Sequence, residues 1–166
     1  MGCNSLKTVD IPSSVYHIGA RAFQGCTSLT HFDYVYGEYD SENTIDEYAF
    51  ADCTSLKSLC IDTNVLTICD NAFSGCKSLE KVFYFGDRDD FSYVKINENN
   101  ECFKNATLYF YSDRRPEEKG NYWFFLKDTP MPWDDGSDFL IEGNVLKKIH
   151  RCRWYGRRTK RYFRDW

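Results

Sequence analysis

Eight cysteines are the residues best equipped for chemistry in this 166-residue chain, because thiols can form disulfides, hold metals or act as nucleophiles. Four of them each open a Cys-x-Ser-Leu tetrapeptide, and they recur at spacings of 23, 27 and 23 residues. These four are Cys3, Cys26, Cys53 and Cys76. Because all four share one repeated position, we expect a buried ladder of stacked thiols that act as small apolar groups. Oxidative pairing of neighbours stays open, although in-register side chains strain the disulfide dihedral.

Metal and catalytic chemistry have thin support in the sequence. A zinc site needs paired Cys-x-x-Cys spacings, and none occurs; His150 and Cys152 are isolated among basic residues. The remaining histidines, His17 and His31, lie in no motif that sets a nucleophile beside a base, and there is no Gly-rich phosphate loop. We therefore expect His17 and His31 to be solvated surface residues, and we predict no catalytic residue, no metal and no cofactor.

The cysteine spacing belongs to an internal repeat with a period of 23 residues, and the four extra residues of the longer spacing fall in the polar stretch 36–43. Each unit has a short apolar strand, a second extended piece and a small residue followed by a large one. The small-large pairs are Ala22-Phe23, Ala49-Phe50 and Ala72-Phe73. One such unit cannot bury its own apolar face, so identical units stack. The pattern predicts a β-rich repeat solenoid with coils about 4.8 Å apart.

The repeated pattern Leu-x-x-Leu-x-Ile, then Val-x-x-Ile, then Ala-Phe-x-x-Cys-x-Ser-Leu resembles the BspA-type leucine-rich-repeat family. Members of that family are surface and secreted proteins of bacteria and some protists. Residues 103–112, 120–123 and 130–133 are similar to the segment that often closes such arrays. The resemblance implies a right-handed leucine-rich-repeat solenoid of parallel strands and short helical turns, with a C-terminal β cap.

Pattern and charge divide the chain into three parts. Repeat coils are predicted over residues 1–86, a cap segment packed on the last coil over 87–133, and a basic extension over 134–166. Residues 1–142 carry 12 Lys and Arg against 24 Asp and Glu, whereas residues 143–166 carry nine cations and one acidic residue. The chain starts within a repeat unit, so we expect a piece of a longer repeat protein, or a displaced start.

The residues between the buried strand positions should form columns on the concave face, which is where repeat solenoids bind their partners. The two columns hold Thr8, His31, Ser58 and Lys81, and then Asp10, Asp33, Cys60 and Phe83. We predict that these residues contact a protein, or a host or cell-surface ligand; a merely solvated sheet face is the alternative. Four coils offer about 350 to 400 Å², against about 800 Å² per partner in a standard interface, so this piece should bind weakly.

The predicted function is that of a non-catalytic, adhesin-like interaction module, and the resemblance implies a surface or secreted location. The chain has no run of apolar residues typical of a membrane span or a secretory signal, so a cytoplasmic location also stays open. The alternative function is binding of nucleic acid or anionic surfaces by residues 147–164, where cations alternate with aromatic side chains. A nucleic acid is the less favoured partner, because the acidic body of the chain repels it.

Overall fold

The computed structural model describes residues 2–12, 15, 17–34, 43–114, 116, 120–126, 129–132, 141–142 and 145–146. Its strands are β1 (His31–Tyr34), β2 (Asn43–Ile45), β3 (Ser58–Ile61), β4 (Val65–Ile68), β5 (Lys81–Tyr84), β6 (Lys95–Ile96), β7 (Thr107–Tyr111), β8 (Tyr122–Leu126), β9 (Thr129–Pro132), β10 (Ile141–Glu142) and β11 (Val145–Leu146). Two short helices are α1 (Arg88–Phe91) and α2 (Glu101–Lys104). Within this part of the chain, no helix is long and apolar enough to cross a membrane.

Two sheets run along the molecule, and the coils contribute strands to both. The first sheet has the order β1-β3-β5-β7-β8-β9, with parallel pairing from β1 to β8 and an antiparallel β9 at its edge. The second sheet has the order β2-β4-β6, all parallel, and Ile18 adds a parallel bridge to Ile45. β10 and β11 form a separate antiparallel pair. Parallel pairing between strands of successive coils confirms the predicted β-rich repeat solenoid.

The interior between the two sheets is built around a column of phenylalanine rings. Phe23 stacks on Phe50, and Phe50 stacks on Phe73, with 5.2 Å between ring centroids in each pair. Phe103 continues the column at 5.1 Å from Phe73. These distances are close to the spacing of paired strands, because each coil supplies one ring. Phe50 and Phe73 have no exposed surface, which confirms that these two residues lie in the core. In the first small-large pair, Ala22 is exposed and Phe23 is half-buried.

In the turns that precede β1, β3 and β5 of the first sheet, one residue has a positive φ. This explains two of the repeated glycines. The position is held by Gly25 (φ 71°), Asp52 (φ 60°) and Gly75 (φ 76°). Glycine adopts this backbone region without the steric cost that a Cβ brings. At Gly75 an added Cβ would also clash with the side chain of Asp52 in the preceding coil. The turns are tied together because Gly25 N donates to Ala51 O, and Asp52 N donates to Ser74 O, both at 2.8 Å.

Residues 87–111, which were predicted to lie in the cap segment, add another strand to each sheet as β6 and β7. The capping carboxylate of Asp87 opens α1 in this coil, and Phe103 provides the fourth ring of the column. Only three residues separate Phe103 from β7, against seven between Phe73 and β5. The Cys-x-Ser-Leu turn is therefore missing from this coil, and cysteine spacing alone could not indicate it.

Candidate functional site

The outward face of the first sheet carries the predicted columns in register. His31 is paired with Ser58, Ser58 with Lys81, and Lys81 with Thr107. The second column continues from Asp33 through Cys60 and Phe83 to Tyr109. Thr8 and Asp10 lie exposed in the coil before β1, where Thr30 N donates to Lys7 O at 3.2 Å. The structure thus places Thr8 and Asp10 in the coil that precedes β1, and it places six of the predicted residues in register on adjacent strands: His31, Asp33, Ser58, Cys60, Lys81 and Phe83.

Two residues of the second column are not on the surface, and this corrects the prediction. Cys60 is 0% exposed and Phe83 is 3% exposed. Both belong to a small apolar group that Trp123 of β8 completes, and Trp123 is itself buried. The Trp123 ring lies 5.5 Å from the Phe83 ring, and its Nε1 donates to Tyr84 O at 2.8 Å. Cys60 and Phe83 are therefore interior residues.

We name this group the aromatic cluster. Its members are Cys60, Phe83, Phe85, Tyr109, Tyr111 and Trp123. The Trp123 ring also meets Phe85 edge-on at 4.9 Å and Tyr111 at 5.2 Å. The cluster covers the end of the face nearest β8, so the polar part of the face lies on β1, β3 and the first residue of β5. The aromatic run 122–125 was the one sequence signal that could have shown a contact of this kind.

Three side chains of the polar part form a connected group that we name the polar triad: His31, Ser58 and Asp33. His31 Nδ1 lies 2.6 Å from Ser58 Oγ, and His31 Nε2 lies 2.9 Å from Asp33 Oδ1. The second contact is electrostatic rather than an aligned hydrogen bond, because among the described residues no donor is directed at the buried Asp33 Oδ1. The side chains of His31 and Asp33 are 32% and 41% exposed, so the triad is open to solvent.

A second group of the same chemistry lies on the second sheet. His17 Nε2 is 3.0 Å from Asp46 Oδ2, and His17 Nδ1 is 2.9 Å from Thr44 Oγ1. Thr44 Oγ1 in addition donates to Asp46 Oδ1 at 3.1 Å. Both histidines were predicted to be merely solvated. Each instead has a hydroxyl and a carboxylate as partners. Thr44 and Asp46 come from the coil next to His17, whereas His31 takes Ser58 from the next coil and Asp33 from its own strand.

The cysteine ladder is buried in three of its four predicted members. Cys26, Cys53 and Cys76 are buried and free, whereas Cys3 is exposed, which corrects that part of the prediction. Cys3 lies in the first coil of the described chain, and no described coil covers it from the other side. Cys53 Sγ donates to Phe23 O at 3.0 Å, and Cys76 Sγ donates to Phe50 O at 3.1 Å. The ladder thus joins successive coils.

Burial makes the ladder thiols poor nucleophiles. It raises the pKa of Cys53 to about 12, with a further contribution from the neighbouring Cys26, and it raises the pKa of Cys76 as well. Since the thiolate is the reactive form, both residues are inert in the folded state. None of the described cysteines is in a disulfide, and the described residues contain no group of three or more His, Cys, Asp or Glu that could hold a metal ion. His150, Cys152 and the basic residues 147–164 lie outside the described residues.

A further residue, Asn100, was missed by sequence reasoning. Its side chain is fully buried and takes the place of a backbone carbonyl in the series of hydrogen bonds that join successive coils. Phe23 N and Phe50 N each donate to a backbone carbonyl of the next coil, whereas Phe73 N donates to Asn100 Oδ1 at 3.0 Å. Asn100 Nδ2 donates to Cys69 O at 2.8 Å. Asn100 stands three residues before Phe103, where the preceding units have Asp70 and Glu47, and this change from an acid to an amide was the signal that could have pointed to its role.

Parallel strands in register, a column of stacked rings and thiols bonded from coil to coil define a leucine-rich-repeat solenoid. A sequence model described as BspA type leucine rich repeat region matches residues 1–108 in six copies. The chain therefore belongs to the BspA-type leucine-rich-repeat family, as the repeat pattern predicted. Membership of this family supports a protein-interaction repeat module.

Comparison with curated proteins found no match. Among solved structures, the chain is similar to a leucine rich cell surface protein from Faecalibacterium prausnitzii A2-165, with 26% sequence identity and a TM-score of 0.49. The similarity covers 57% of this chain and 24% of that protein's chain. This chain thus spans about a quarter of the length of that protein.

Proposed function

We propose that the chain is a non-catalytic interaction module that binds a protein ligand on the outward face of the first sheet. The observation that carries the proposal is the aligned column of unlike polar side chains on adjacent coils. It runs from His31 through Ser58 to Lys81 and is flanked by Asp33, and the exposed Thr8 and Asp10 lie in the preceding coil. Such a column offers a partner a different hydrogen-bonding or charged group at every coil, about 4.8 Å apart.

The binding face of this chain is small, so affinity should depend on a longer array. Four coils provide a sheet face of about 400 Å². Because Cys60 and Phe83 are buried in the aromatic cluster, the area that a partner can contact is smaller than this. A standard interface uses about 800 Å² on each partner. We propose that the chain is part of a longer protein, in which further coils widen the same face and raise affinity through several weak contacts.

The cap and the location are part of the same proposal. We propose that β8 and β9 cap the array after β7. Two observations support this: Trp123 of β8 packs against Phe83 and Phe85, and β9 pairs with β8 in the antiparallel direction. We propose display at the cell surface as an adhesin-like protein, which the family assignment supports. Protease shaving of intact cells followed by peptide mass spectrometry tests the location: release of peptides from residues 1–108 is the expected result.

The binding proposal is tested by a matched pair of lysine substitutions on the two sheets. Lys81 opens β5 on the first sheet and Lys95 opens β6 on the second, so Lys81→Glu and Lys95→Glu make the same charge change on the two sheets. We expect Lys81→Glu to reduce binding of the fluorescent chain to host cells about tenfold or more, whereas Lys95→Glu leaves it unchanged. Equal losses from both variants would refute a binding face on the first sheet.

Deleting residues 143–166 separates this function from the alternative one. Binding through the sheet face should survive the deletion, because the polar column lies entirely within residues 8–81. Loss of binding on deletion, together with a steep fall of affinity between low and moderate salt, would instead identify the basic segment as the binding element, since contacts with a polyanion release counterions.

A further inference from the structure

The polar triad has the arrangement of a nucleophile, a base and a carboxylate behind the base. The negative charge of Asp33, with Oδ1 at 2.9 Å from Nε2, favours by electrostatic attraction the His31 tautomer that carries the proton on Nε2, although this N–H is not aligned with Oδ1. Nδ1 is then the acceptor for the Ser58 hydroxyl at 2.6 Å. We propose that Ser58 is an activated nucleophile that takes an acyl group from an activated ester bound on the first sheet. This inference goes beyond the proposed function and needs no protein partner.

The second histidine group shows why Ser58, and not every hydroxyl beside a histidine, is the reactive one. Thr44 Oγ1 donates to Asp46 Oδ1 at 3.1 Å, so this carboxylate competes with His17 Nδ1, 2.9 Å away, for the Thr44 proton. Ser58 Oγ, by contrast, has His31 Nδ1 as its hydrogen-bond partner at 2.6 Å and no carboxylate that competes for its proton among the contacts of the polar triad. With the proton of His31 on Nε2, the Ser58 hydroxyl donates to Nδ1, whereas the Thr44 hydroxyl donates to a carboxylate.

The proposed step transfers one acyl group and conserves its atoms. Ser58 Oγ forms a bond to the carbonyl carbon of the ester while its proton passes to His31 Nδ1. The bond between that carbon and the leaving oxygen then breaks, and the alcohol departs with the proton that His31 returns. The products are acylated Ser58 and the free alcohol. Asp33, 2.9 Å from Nε2, stabilises the imidazolium that forms between the two proton transfers.

The surroundings suit acylation better than rapid turnover. Ser58 is only partly buried and lies at the start of β3, so a small ester can approach it from the solvent. Lys81 occupies the position on β5 that is paired with Ser58, so a positively charged residue lies one strand away from the hydroxyl. The N–H groups of β3 are engaged in parallel pairing with β1 and β5, so they are not free to bind an oxyanion. Both acylation and hydrolysis of the acyl-serine pass through an oxyanion, so only an ester with a good leaving group should react, and we expect the less activated serine ester to be retained on Ser58.

Incubation of the full chain with 4-nitrophenyl acetate, followed by peptide mass spectrometry, tests the proposal. The expected result is one acetyl group on Ser58 and release of 4-nitrophenol in a matching amount. Ser58→Ala should abolish this modification, and His31→Gln should slow it about a hundredfold or more, which is the range for loss of a general base. Ser58→Cys keeps a nucleophile at the position and should be acetylated.

Thr44→Val is the matched control, because it removes a hydroxyl that also contacts a histidine but lies on the second sheet. It should leave acetylation of Ser58 unchanged, and Thr44 itself should remain unmodified in the parent chain. Unfolding curves of every variant verify that the fold is kept. Acetylation spread evenly over surface hydroxyls and lysines, or an unchanged rate in folded His31→Gln, would overturn the proposal. So would the absence of acetyl-Ser58 in the parent chain.

Discussion

Replacing Asn100 by alanine tests the last hydrogen bond in the series that joins the core phenylalanine N–H of each coil to the next coil. In the preceding coils Phe23 N donates to Ala49 O at 2.7 Å, and Phe50 N donates to Ala72 O at 2.8 Å. At the last of these positions the acceptor is a side chain, Asn100 Oδ1. Asn100→Ala removes this acceptor, and it also removes the amide that donates to Cys69 O.

The expected loss of stability depends on which hydrogen-bond partners of Asn100 are buried and therefore cannot bond to water after the substitution. Phe73 N lies in the buried interior, and Cys69 O accepts from the same buried side chain. The remaining bonds of the Asn100 amide, to Asn97 O and Glu98 O at 3.3 Å, involve exposed residues that water can satisfy. Cys69 O is only partly buried and still accepts from Ala72 N at 3.3 Å, so Phe73 N is the one buried group left without a partner. At about 1 to 3 kcal/mol for such a group, we expect a loss of about 1 to 3 kcal/mol in the free energy of unfolding.

Urea unfolding followed by circular dichroism measures this loss. Asn97→Ala is the matched control, since it truncates an exposed asparagine in the same turn and should change the free energy of unfolding by less than about 0.5 kcal/mol. A loss below about 1 kcal/mol for Asn100→Ala would show that water or a shifted backbone replaces the side chain, and the assigned role of Asn100 would then be wrong.

Three further predictions concern the core phenylalanines, the buried cysteines and the glycine turns. Phe50→Ala should lower the free energy of unfolding by about 3 to 5 kcal/mol in urea, because it removes a fully buried ring between two stacked neighbours; a loss below about 1 kcal/mol contradicts the register. Since the folded state raises the pKa of Cys53 to about 12, it keeps a proton that the unfolded chain loses at lower pH, so stability should fall as pH rises from about 9 towards 12. Cys53→Ala should flatten that slope between about pH 9 and about pH 11, and an unaltered slope would count against it. Gly75→Ala should lower the melting temperature, whereas Gly19→Ala should not, because the first site has a positive φ and a close Asp52 and the second has open space.

Much of the fold could be predicted because the same pattern of apolar and small residues recurs in each repeat unit. Apolar residues at constant spacing predicted the strands and their columns, and the pairing of His31 with Ser58 and of Ser58 with Lys81 agrees with that alignment. The recurrent phenylalanines predicted the core, and the recurrent cysteines predicted three buried thiols. In a solenoid, equivalent positions stack on each other, so sequence register becomes spatial register.

The candidate site was predicted less completely, because exposure depends on residues distant in the chain. Alternation along the strand correctly put Cys60 and Phe83 on the outward side of the sheet, yet Trp123 from a later strand covers that side. No residue in or next to β3 or β5 in the sequence predicts the contact with Trp123. The polar triad likewise arises from two coils, and neither His31 nor Ser58 lies in a motif that predicts a bond between them.

By itself the sequence determined the repeat period, the family, the positions of the core rings and the side of the sheet to which each strand residue belongs. Those features follow from local preferences and from a hydrophobic pattern that every coil repeats. Only the tertiary structure decided which outward residues stay exposed, that Asn100 replaces a backbone acceptor, and that His31 meets both a hydroxyl and a carboxylate. The physical reason is that burial and hydrogen bonding depend on atoms brought together by folding, whereas periodicity is already present along the chain.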